Sequence, residues 1–310
     1  MKKSLMTLGV LALFVLMAYG QEKKFALYSV AFYNMENLFD TIHDEGKNDY
    51  EYLPNGTNQW NTMKYKAKLK NMSEILSMLS TDKLPMGPAI IGVSEIENYR
   101  VLEDILKQPA LADKGYQYVY YEGEDRRGVD CAFFYNPKLF ELTNSKLVPY
   151  VYINDTVHKT RGFLIASGNI AGEKMHFIVN HWPSRAAASP VRERAGEQVR
   201  AIKDSLLRED SAAKIVIMGD MNDDPMDKSM AVALGAKRKP ADVGPTDLYN
   251  PWWDTLKKGY GTLMYKGKWN LFDQIVFTGN LLGTDRSTLK FYKHEIFRRD
   301  FMFQKEGKYK

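Results

Sequence analysis

Four apolar runs in this chain each stop abruptly at a cluster of polar residues. They read SVAFYNMEN (29–37), AIIGVSEIEN (89–98), MHFIVNHWPS (175–184) and KIVIMGDMNDDP (214–225). The runs are continuous rather than alternating, which is the pattern of strands buried on both faces. Such strands need covering on each side, so they belong to a layered fold and not to an open antiparallel sheet. Strands are predicted over 27–33, 89–93, 116–121, 129–135, 175–179, 214–218 and 271–278. Between them, Tyr65, Leu69, Met72, Leu76 and Leu79 recur at spacings of four, three, four and three. That spacing puts one apolar stripe on a helix over 62–80. A second helix begins near Pro190, a residue suited to a first turn, and aligns Val191, Ala195, Val199, Ile202 and Leu206. The expected class is therefore layered α/β, with sheet packed on sheet and helices outside. With 310 residues, 45% of them apolar, the chain can bury such a core as one domain over 21–310.

The first twenty residues, MKKSLMTLGVLALFVLMAYG, join two lysines to a long apolar run and end small-x-small at Ala18 and Gly20. This predicts a secretory signal peptide cut before Gln21, and hence a periplasmic or extracellular protein. The apolar run is almost long enough to span a bilayer, so a retained anchor is the alternative; the A-x-G ending favours cleavage. After cleavage no membrane span is expected, and a monomer is. The single cysteine, Cys131, lies in the apolar run VDCAFFY, excludes an intrachain disulfide and reads as a buried structural thiol. The formal charge of +5 falls to +3 once Lys2 and Lys3 are removed, too small a value to imply or exclude nucleic acid.

The polar endings carry the chemistry. If the four strands are neighbours running the same way, one rim gathers Asn34, Glu36, Glu95, Glu97, Asn180, His181, Asp220 and Asn222. Asp220 and Asn222 are two apart, so in extended geometry both face one side. Asp223-Asp224-Pro225 reads as the turn that follows. An EF-hand is excluded, because its sixth and twelfth positions would be Pro225 and Ala231. Oxygen ligands with one histidine and no cysteine suit Mg²⁺ or Mn²⁺ better than zinc.

The set YNMEN, SEIEN, NHWPS, GDMNDDP and FDQIVF, in this order along the chain, resembles the endonuclease/exonuclease/phosphatase superfamily, whose deoxyribonuclease I-like fold implies here a four-layer α/β sandwich of two mixed β-sheets packed face to face, with helices outside. The resemblance implies metal-dependent cleavage of phosphodiester or phosphomonoester bonds, with Mg²⁺ or Mn²⁺ as cofactor and a phosphoester, nucleic acid among the candidates, as substrate. It places Asn34 on the first-motif asparagine and Glu95 on the metal-binding glutamate. His181, Asp220, Asn222 and Asp273 fall on the remaining catalytic positions, and Asn34 could also hold the metal. Arg127, in EDRRGVDCAFFY, and Arg185, after NHWPS, are candidates for contacting substrate phosphate. One departure is plain: family members close with a serine-aspartate-histidine segment, and no Asp-His pair occurs in this sequence. The expectation is a chain that lacks its C-terminal strand, and the alternative function is a catalytically impaired phosphate-ligand or partner-binding protein of the same fold.

Overall fold

The computed structural model describes residues 25–303 and residue 306. The expected signal peptide lies outside these. Two mixed sheets form the body. The smaller has the strand order β1-β2-β4-β3, built from β1 (Val30–Leu38), β2 (Ile90–Ile96), β3 (Gln117–Tyr120) and β4 (Asp130–Tyr135). Strands β1 and β2 run parallel; the other pairs are antiparallel. The larger has the order β5-β6-β7-β8-β13-β10-β9. Its members are β5 (Glu141–Val148), β6 (Phe163–Ile170), β7 (Glu173–His181), β8 (Lys214–Asp220), the short β9 (Ala236–Lys237) and β10 (Leu248–Tyr249), and β13 (Asp273–Thr278). Strands β7 and β8 are its parallel centre. A separate hairpin joins β11 (Leu263–Tyr265) to β12 (Lys268–Asn270).

The continuous apolar runs are explained by what lies on each side of them. Ile90, Phe133, Phe177, Val179, Val216 and Met218 pack between the two sheets. On the outer face of the larger sheet, Ile178, Ile215 and Ile217 meet Ala195, Val199 and Leu206 of α3 (Ser189–Glu209). On the outer face of the smaller one, Ile91, Val93 and Phe134 meet Tyr65, Leu69 and Leu76 of α1 (Thr62–Ser77) and Val101, Leu102 and Ile105 of α2 (Tyr99–Leu106). These three cores make the four layers. The sheets approach closely at Gly92, where an added Cβ would stand 2.5 Å from the Met218 sulfur.

The expected strands are present, with shifted ends. The first runs on through Asn34 to Leu38, so Asn34 lies inside it rather than at its end. The helix expected over 62–80 stops after Ser77. Strands β5 and β6 were not expected. ELTNSKLV is a polar edge strand whose alternation is broken by a bulge between Leu142 and Asn144. FLIASGNI carries turn-forming residues in its second half, yet Gly168 is needed there because a Cβ would stand 2.1 Å from the Glu141 carbonyl oxygen. Among the described residues no helix is long and apolar enough to cross a membrane.

Candidate metal and phosphoester site

The register of the larger sheet sets three acid-base groups side by side. His181 pairs with Asp220 across β7 and β8, and Asp220 pairs with Asp273 across β8 and β13. Only glycine can precede Asp220, since a Cβ on Gly219 would stand 2.2 Å from the Asn180 carbonyl oxygen. The smaller sheet closes over this row. Its Asn34 side chain donates to Glu95 Oε1 at 3.2 Å and to Asp220 Oδ2 at 3.1 Å, bridging the two sheets at their common rim. Two local distortions aim these groups. Bulges interrupt the β1–β2 ladder after Asn34 and the β2–β4 ladder after Ser94, and Glu95 itself is left-handed at φ 59°. Glu36, Asn37 and Asn222 are left-handed as well. Each such non-glycine residue costs on the order of 1 kcal/mol, and bulges of this kind re-aim side chains at working sites.

Glu95, His181 and Asp220 each offer one ligand atom, all within 4.8 Å of one another. His181 Nε2 lies 3.6 Å from Glu95 Oε1 and 3.8 Å from Asp220 Oδ2, too far for direct hydrogen bonds. Burial, with Arg161 and Arg127 adding to it, drives the His181 pKa well below its ordinary value, so the imidazole is neutral. Burial and the charge of Glu95 raise the Asp220 carboxyl; burial and the charge of Asp220 raise Asp273. The buried Asp273 Oδ1 and His181 Nδ1 have no hydrogen-bond partner. Crowded carboxylates with unanswered negative charge, and ligand atoms of oxygen and imidazole nitrogen, fit a divalent hard cation. Glu95, Asp220 and His181 are the groups that would hold it.

The other sequence candidates occupy distinct places. Asn222 N donates to Asp220 Oδ1 at 2.9 Å and its side-chain amide donates to the Trp182 carbonyl at 2.9 Å, tying the two loops together. Asp273 N donates to Thr262 Oγ1 at 3.2 Å. Arg185 is gripped by Asp223, Asp224 and Asp227 and lies over the Phe272 ring, so its charge is already answered. Asp223 and Asp224 do form the turn after β8. Asp223 accepts from Ser229 Oγ and lies 2.9 Å from Arg192 Nε; Asp224 accepts from Leu271 N. Of the five histidines only His181 belongs to this cluster, and His294 lies instead at 3.0 Å from Thr255 Oγ1. Asn98 of SEIEN caps α2, accepting from Arg100 N and Val101 N.

Sequence reasoning missed Arg161. Its buried guanidinium donates to the carbonyls of His181 and Trp182, each at 3.1 Å, and to Asp125 Oδ2 at 2.8 Å. Burial alone would raise the Asp125 carboxyl, but Arg161 and Arg127 outweigh it and hold the group below the ordinary range. Arg127 is half exposed and reaches Asp125 at 3.4 Å, so one carboxylate serves two guanidiniums and leaves a positive charge over. Nothing in the spacing of TRGFL marks Arg161; its partners come from segments 20 and 36 residues away.

Glu97 is not among the clustered ligand groups and accepts from Asp40 N at 2.7 Å. Burial pushes its pKa up to about 8. A group whose folded pKa is raised costs stability as pH climbs from its unfolded value to its folded one. In EDTA, Glu97→Gln should therefore match the wild-type melting temperature near pH 4.5 and exceed it by a few degrees above pH 8. Equal melting curves across that range would show that Glu97 is ionised without penalty.

Comparison with known proteins settles the family. The sequence profile of the endonuclease/exonuclease/phosphatase family matches residues 29–310. The chain belongs to that family. Solved structures of the same fold include ANGEL2, a 2′,3′-cyclic phosphatase, at TM-score 0.55 and 12% identity, covering 81% of this chain and 82% of that one. A Bacteroides thetaiotaomicron mannosyl-6-phosphatase, Bt3783, aligns at TM-score 0.54 and 16% identity over 81% and 85% of the two chains. A humanized D. rerio TDP2 aligns at TM-score 0.52 and 14% identity over 81% and 83%. Among curated protein sequences, none matches the chain.

Proposed function

We propose that this member of the endonuclease/exonuclease/phosphatase family hydrolyses phosphoester bonds with the help of Mg²⁺ or Mn²⁺ held by Glu95, Asp220 and His181. The observation that carries the reading is the convergence of Glu95, His181, Asp220 and the bridging Asn34 from two different sheets onto one rim. A bound divalent cation would draw charge from a phosphoryl oxygen and from the leaving oxygen. The chain's own groups do the rest. Asp220 has two carboxylate oxygens, so beside holding the metal it can orient a water for attack on phosphorus and take its proton. Neutral His181, with Nε2 facing the same space, is in the protonation state a metal ligand needs. Asn34 holds the two carboxylates together against their repulsion, and Asp273 backs Asp220 from the neighbouring strand. The fold also serves the phosphatases ANGEL2 and Bt3783, which agrees with phosphoester chemistry.

A second reading, binding without turnover, is favoured by one observation: His181 is the only histidine in the cluster, and the sequence contains no Asp-His pair. The two separate cleanly. Protein stripped with EDTA and reloaded with Mg²⁺ or Mn²⁺ is assayed on p-nitrophenyl phosphate and bis(p-nitrophenyl) phosphate. Hydrolysis at least ~10²-fold above the stripped protein is expected. No turnover with either metal, alongside retained binding of inorganic phosphate, would select the binding reading.

A further inference from the structure

We infer that Lys68 is a substrate-binding residue of this site, one that holds the non-bridging phosphoryl oxygens and favours a dianionic phosphomonoester over a diester; the inference deepens the phosphoesterase reading and rests on it. Lys68 lies on α1, in a helix whose sequence marks it only as one of several lysines. Its ammonium donates to the Glu36 carbonyl oxygen. The Glu36 N–H in turn donates to Asn34 Oδ1 at 2.7 Å, and the Asn34 amide donates to Glu95 and Asp220. A continuous chain of hydrogen bonds thus fixes the ammonium beside the cluster. Its stem passes beside the Trp60 ring, with Nζ 5.9 Å from the ring centroid.

Two features separate Lys68 from an ordinary surface lysine. First, its anchor is a neutral carbonyl, and among the described residues it has no salt-bridge partner, so its charge is not cancelled at contact. An ammonium has three donors, and the protein uses one. Second, it is half-buried: burial lowers its pKa, while the charges of Glu36 and Glu95 partly offset that, so the ammonium shares the field of the metal-ligand carboxylates. By contrast Lys70, on the same helix, is exposed and paired with Glu74. A diester presents one negative charge, which the cation can answer. A monoester carries up to two, and a second fixed cation with free donors answers the other.

The test uses inorganic phosphate as the probe, titrated calorimetrically into Mn²⁺-loaded wild type, Lys68→Met, Lys68→Arg and the control Lys70→Met, all verified as folded by circular dichroism. Wild type and Lys70→Met should bind alike. Lys68→Met should bind at least about tenfold more weakly, as expected for loss of a charge-assisted contact, and Lys68→Arg should recover most of the difference. In the same samples kcat/KM for p-nitrophenyl phosphate should fall at least about tenfold in Lys68→Met, while that for bis(p-nitrophenyl) phosphate changes by less than about threefold. Unchanged phosphate affinity in Lys68→Met, or equal losses on both esters, overturns the assignment. Weakened phosphate binding in a protein that turns over neither ester would keep Lys68 as a phosphate ligand and defeat the hydrolase reading instead.

Discussion

Asp220→Ala should lower metal-dependent phosphoester hydrolysis by ~10²-fold or more, the usual loss when a group acting at the transition state is removed. The same change should leave the metal-free protein no less stable. Asp220 is buried beside Glu95 and Asp273, and its raised carboxyl shows that the folded state resists its charge. Deleting it removes that repulsion, at the loss of two hydrogen bonds, from Asn34 and from the Asn222 backbone. Activity and stability therefore move independently, as expected where a site holds strain for function. Steady-state kinetics at saturating Mn²⁺ and thermal melts in EDTA measure the two. Wild-type-like kcat/KM would remove Asp220 from the mechanism; a large fall in melting temperature would show that it holds the fold instead.

The second large effect is expected at Arg161→Met. The Arg161–Asp125 pair is buried on both sides, and breaking such a pair from one side costs about 3–5 kcal/mol. Arg127 and Thr160 remain near Asp125 and soften the loss, so the lower end of that range is expected. Urea denaturation reads it. Adding Asp125→Asn should restore a part, because the stranded charge is then gone; strictly additive losses would mean that the two residues do not act as a pair. Arg161 also holds the carbonyls of His181 and Trp182, so kcat should fall in Arg161→Met even where the protein is fully folded. Arg161→Lys would keep the charge but lose the fork that spans both carbonyls, and should recover stability more than rate.

Much of this was legible in the sequence for a physical reason. A strand buried on both faces must be apolar along its length, and it can turn polar only where it leaves the layers. The four runs with polar endings therefore marked both the sandwich and the rim where the candidate site lies. Helix α3 was legible from its stripe and from Pro190 in its first turn. Strand β5 was not, because an edge strand wetted on one side carries no such signature. Arg127 and Arg185 stood out as arginines near motifs, yet Arg185 is held by three carboxylates of the following turn, a commitment that spacing could not reveal.

By itself the sequence determined which residues could do chemistry: carboxylates, amides and one histidine at the ends of apolar runs, which local hydrophobic patterning fixes residue by residue. Only the tertiary structure decided which of them meet. The pairing of β8 with β7 and β13 sets Asp220 between His181 and Asp273. The bulge at Glu95 turns it toward Asn34, and long-range bonds bring Arg161 under His181 and Lys68 beside Glu36. Those contacts join segments 20 to 61 residues apart, and sheet register and backbone handedness, which no local pattern encodes, place them.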